Sequence, residues 1–116
     1  MNNLESEIYR LSFELSQLLD DNNINKLLGV LASDGVYAMW VYAMDKIKKE
    51  TEKKTVIELI TKLNSFLEIN SEKNNQIDNN YFQTLAQDLK KLLFMKELLE
   101  KVLTYAIYHA RAKGED

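Results

Sequence analysis

Apolar positions recur along this chain at helical spacing almost from its start. Leu4, Ile8, Leu11, Leu15 and Leu18 follow one another at steps of four, three, four and three. That is one face of an α-helix held over four turns. The polar cluster Asp20-Asp21-Asn22-Asn23 ends it, because Asp and Asn side chains compete for backbone hydrogen bonds. Asn23 is the expected N-cap of a second, short element carrying Ile24, Leu27, Leu28, Val30 and Leu31. That element closes at Ser33-Asp34-Gly35, where a glycine can adopt a backbone that other residues avoid. A third helix begins at once, with Val36, Trp40, Met44 and Ile47 as its stripe and Tyr37, Val41 and Ala43 beside them. It is apolar around most of its circumference, which predicts the central helix of the core.

Asp45 to Lys54 reads DKIKKETEKK, either the solvated last turns of the third helix or a linker. Thr55 with Glu58 three residues on fits a capping box, so a fourth helix is expected from there, with Val56, Ile60, Leu63 and Leu67 on one face. Asn70 to Asn80 holds a single apolar residue and predicts an exposed loop. From Tyr81 to Lys113, Leu85, Leu89, Leu92, Leu99, Leu103, Ala106 and Ala110 form an unbroken stripe. Such a helix would be about 45 Å long, more than a bundle of this size needs, so it bends or part of it meets a partner. No stretch alternates with a period of two. The expectation is an all-α fold: one helical domain over 1–116, a compact bundle of about five helices with a long C-terminal helix, and residues 70–80 as a loop.

Composition narrows the chemistry. The 116 residues include no cysteine, no proline and three well-separated glycines. Disulfides, thiolate metal sites, a cysteine nucleophile and a glycine-rich phosphate loop are thereby excluded. The formal net charge is -3 and the pI about 5.2, unlike the strongly basic balance of a dedicated nucleic-acid domain. The longest apolar stretch, Val36 to Met44, is too short to span a membrane, and the N-terminus does not read as a signal peptide. The cytoplasm is the expected location.

Candidate reactive groups are few. His109 is the one histidine, and nothing near it in sequence supplies a nucleophile or an orienting carboxylate. Glu97 and Glu100 lie three apart but without the Glu-x-x-His motif of di-metal bundles, and Glu97 to Lys101 reads as an intrahelical pair. These observations predict no catalytic residue, no metal and no cofactor. Tyr37, Trp40 and Tyr42 lack interleaved basic residues, so core packing is the reading, with Tyr37 or Trp40 as a partner contact. The basic feature is Lys46, Lys48, Lys49, Lys53 and Lys54, set against Asp45, Glu50 and Glu52, with Lys90 and Lys91 starting a second series. Together on one surface they could track a phosphate backbone; separately they read as solvated helix ends.

The order of these features resembles the small helical subunit of the type III-B CRISPR effector, the Cmr complex. Lys26 precedes the Ser33-Asp34-Gly35-Val36 join, which opens the apolar helix to Lys46; a polar loop follows, and Tyr81 starts the long last helix. In that family an Asn-Gly-Leu join leads into an apolar helix, and a tyrosine-led helix rich in leucine and basic residues closes the chain. The chain departs from the family where members carry a proline, here Leu28, and an aromatic followed by paired arginines, here Phe94, Met95, Lys96 and Glu97. The resemblance implies a non-catalytic subunit that self-associates in a minor filament. Its implied partners are the backbone and large subunits and the guide and target RNA. RNA would be held through lysine contacts to phosphate that read no sequence. The alternative from another class is a helical protein–protein adaptor or assembly domain with no nucleic-acid role.

Overall fold

The computed structural model describes residues 3–67 and 76–114, with side chains through 113. Among the described residues there are six helices: α1 (Leu4–Leu18), α2 (Asp21–Asp34), α3 (Val36–Lys46), α4 (Glu50–Asn64), α5 (Asn79–Ala86) and α6 (Leu89–Gly114). No strand occurs among the described residues. The radius of gyration, 13.7 Å, is that of a closely packed chain of this length.

The centre of the bundle is α6, not α3. Met95, Leu99, Val102 and Ala106 are completely buried, and every other helix packs on α6. α1 runs parallel to it: Leu4 and Ile8 lie near Phe94 and Leu98, Tyr9 meets Tyr105, and Phe13 meets His109. The core face of α1 is Ile8, Leu11 and Leu15, as the spacing predicts. Leu18 instead points to solvent and Leu19, just past the helix, is buried in its place. Buried Ser12 and Ser16 donate their hydroxyls to the carbonyls of Tyr9 and Phe13, which satisfies them within the helix.

Gly35 joins α2 to α3 alone, at φ 100°. Its N–H donates to Leu31 O and its carbonyl accepts from Met39 N, so one residue closes one helix and opens the next. A side chain there would meet open space, so the requirement is backbone conformation. α3 buries Val36, Met39 and Ala43, while Trp40 and Met44 are only half-buried, one position off the expected stripe. A helix apolar on most sides gives no sequence contrast to fix its rotation, and Ala43 is the small residue that permits close approach.

Asp45 and Lys46 end α3, and Ile47 to Lys49 form a short link. α4 starts at Glu50, earlier than Thr55. Glu50 and Glu52 occupy its first turn, where they favour the helix dipole. The Thr55 hydroxyl caps nothing; it donates to Thr51 O within the helix. The start of α2 is Asp20, not Asn23, whose side chain reaches Glu52 instead. Residues 70–75 of the expected 70–80 loop lie outside the described residues, while Asn79 and Asn80 already belong to α5.

The expected single helix from Tyr81 is two. Asp78 caps α5 by accepting from Tyr81 N at 3.0 Å. α5 then ends in tight turns, Gln87 N to Thr84 O and Asp88 N to Leu85 O. Asp88 opens α6 by accepting from Lys91 N at 3.2 Å. The break takes Leu89 off the buried stripe and leaves it 65% exposed.

Candidate functional site

The structure places the two lysine series at opposite ends of the bundle. Lys46, Lys48, Lys49, Lys53 and Lys54 surround the α3–α4 link, and Lys49 lies beside Ala110 and Lys113 near the end of α6. Lys90 and Lys91 stand in the first turn of α6. Lys91 and Ala110 are about 28 Å apart along that helix at 1.5 Å per residue. Acids interrupt the first series. Lys49 shares a hollow of about 550 Å³ with Asp20, Asp21 and Glu52, Lys46 is 3.6 Å from Asp45, and Lys53 pairs with Glu50 at 3.5 Å. Glu52 is itself buried and held by Asn23 Nδ2 at 2.9 Å, which ties the start of α4 to α2.

His109 is exposed near the end of α6, edge-on to Phe13 at 5.5 Å. Glu97 and Lys101 are not ion-paired; the pairs among the described residues lie elsewhere, as in Arg10 with Glu7 and Glu14. No group of three or more His, Asp or Glu among the described residues is arranged to hold a metal ion. No helix among them is long and apolar enough to cross a membrane.

The end of the bundle opposite the α3–α4 link carries a different kind of site. There the Asp34-Gly35-Val36 join, α5 and the first turns of α6 enclose a groove of about 400 Å³. Its walls are mainly apolar: Val36, Tyr37, Phe82, Ala86, Leu92 and Leu93. Sequence reasoning singled out Tyr37 and Trp40, and the structure brings both to this corner. Tyr37 is 48% exposed on the groove wall and donates its hydroxyl to Asn79 Oδ1 at 2.9 Å. Trp40 lies behind it against Phe82, ring centres 5.0 Å apart, with the Tyr37 ring 6.0 Å away. The Trp40 Nε1 is buried and finds no acceptor among the described residues.

α5 is fastened here by polar contacts as well as rings. Besides the Tyr37 bond, the Tyr81 hydroxyl donates to Asn64 Oδ1 at 2.6 Å, joining α5 to the end of α4. Burial raises the Tyr81 phenol well above the ordinary tyrosine range. Two exposed leucines, Leu89 and Leu93, project from the first turns of α6, and Leu93 also lines the groove. Neither leucine could be placed at this surface from the sequence, since Leu89 falls in the apparent stripe and Leu93 directly follows its Leu92. The one available signal was Asp88 directly before Leu89, an N-cap that restarts the helix.

No protein-family model matches this chain, and no curated protein or solved structure matches it either.

Proposed function

We propose that the protein is a helical assembly domain that acts without catalysis and uses the α3–α5–α6 corner to dock another protein surface. The observation that carries this reading is the apolar groove with Tyr37 on its wall and exposed leucines beside it. Protein contacts draw their energy from an aromatic or aliphatic anchor entering a pocket that excludes water. Water in an apolar groove finds few polar partners, so a side chain that displaces it gains burial. A photo-crosslinking residue placed at Leu93 in the native cell tests the reading. A discrete protein adduct is expected there and none from the exposed Lys26 on α2. No adduct at Leu93, or the same products from both positions, would count against it.

A second reading keeps the assembly role and adds RNA, as the resemblance to the small Cmr subunit implies. Lys46, Lys48, Lys49 and Lys54 are all exposed around one short link, which favours a phosphate contact at that end. Binding to single-stranded RNA would then fall steeply with salt. Lys48→Glu with Lys49→Glu would weaken it about tenfold or more, and unchanged binding in that variant would oppose the reading.

A further inference from the structure

We infer that the occupant of the corner groove is a second copy of this chain, bound about a two-fold axis. The inference rests on the docking role given to the groove above, and it names the partner. A two-fold interface uses one patch on both subunits, so that patch must be complementary to itself. This corner meets the requirement twice.

The first match is one of shape. The patch holds both a depression and a projection: the groove between Val36, Phe82 and Leu92, and the ridge of Leu89 and Leu93 on its edge. Leu93 is 54% exposed and Leu89 more so, in a helix whose other leucines are mostly buried. In a two-fold pair each ridge enters the other copy's groove, and the apolar burial is counted twice.

The second match is one of charge. Asp34 and Lys96 both line the groove, one from the end of α2 and the other from α6. Neither is ion-paired among the described residues. A partner of one charge sign would satisfy only one of them. A second copy offers Lys96 to Asp34 and Asp34 to Lys96, which gives two equivalent pairs per dimer. The chain's formal net charge of -3 adds little repulsion between copies.

Sedimentation equilibrium on the full chain, from about 1 µM to about 500 µM, tests the inference. A monomer–dimer equilibrium is expected. Leu93→Ser would raise the dimer dissociation constant about tenfold or more, because the contact is lost twice. Asp34→Lys and Lys96→Asp would each weaken the dimer about tenfold through like charges, and the double variant would restore it. Circular dichroism and thermal melting of each variant would confirm that these surface changes leave the fold intact. Three results would overturn the inference: a monomer throughout the range, a dimer indifferent to Leu93→Ser, or a charge swap that does not rescue. The adduct at Leu93 separates this failure from that of the docking role. A monomer with a discrete foreign adduct removes only the second copy, and a monomer with no adduct removes both.

Discussion

The α1–α6 seam and the α3–α5–α6 corner both bring aromatic rings to the surface, but the hollow beside them is about 400 Å³ at the corner against about 130 Å³ beside Phe94 at the seam. Along the seam the rings serve one another. Tyr9 rests on Tyr105 at 5.9 Å, and Phe13 meets His109 edge-on at 5.5 Å. Each pair closes the join between two parallel helices, so an exposed ring there is the outer layer of intramolecular packing. At the corner Tyr37 and Phe82 also touch, at 5.7 Å, yet together they wall a groove of about 400 Å³. Exposure alone therefore does not mark a contact surface. Phe13 is 52% exposed and Leu93 54%, and the difference between them lies in what stands next to each.

The comparison can be broken most severely from within the shared helix. Leu99 is fully buried in α6, the helix that both regions share, and Leu99→Ala should cost about 2–5 kcal/mol in denaturant unfolding. A loss below about 1 kcal/mol would mean that α6 is not the spine of the bundle. Trp40→Ala acts on the corner only. Because Trp40 is half-buried and its Nε1 has no partner among the described residues, about 2–3 kcal/mol is expected, less than for a wholly buried aromatic. Trp40→Phe, which removes that donor, should cost less than about 1 kcal/mol.

Gly35→Ala should cost about 1–2 kcal/mol by chemical denaturation, entirely from the positive φ, since the added methyl would meet open space. Tyr81→Phe removes the bond to Asn64 and should cost about 1 kcal/mol near neutral pH. It should also change the alkaline limb. The phenol is raised by burial in the folded state, so above about pH 10 the unfolded chain holds fewer protons and stability falls with rising pH. Stability at and below neutral pH is untouched by this group's titration. In Tyr81→Phe the fall above about pH 10 should be shallower, as read from denaturation midpoints across pH. An identical slope would mean that Tyr81 is not buried as described.

The seam was far more legible in the sequence than the corner. α1 buries Ile8, Leu11 and Leu15 of the stripe its spacing selects, because Ser6, Arg10 and Gln17 stand on the opposite face and give contrast between faces. α3 offered no such contrast, and its rotation was settled by Ala43, whose small side chain carries little weight in a hydrophobic pattern. The start of α4 was legible from Glu50 and Glu52 but was outweighed by the capping pattern at Thr55, which forms no cap. The α5–α6 break needs neither glycine nor proline; Asp88 alone restarts the helix, so periodicity ran straight through it. The groove depends on the distance between α3 and α6 and on where α5 is fastened, and neither has a local signature. The lysines were legible as exposed groups, but their separation to opposite ends follows from the helix directions.

The most direct test compares Leu93→Ser with Phe13→Ser, two apolar side chains of equal exposure in the two regions. Dimer dissociation constants for both, from sedimentation equilibrium beside the unaltered chain, are the measurement. The account predicts that Leu93→Ser weakens self-association about tenfold or more, while Phe13→Ser leaves it within about twofold. Equal effects, a larger effect from Phe13→Ser, or no self-association in the unaltered chain would contradict it.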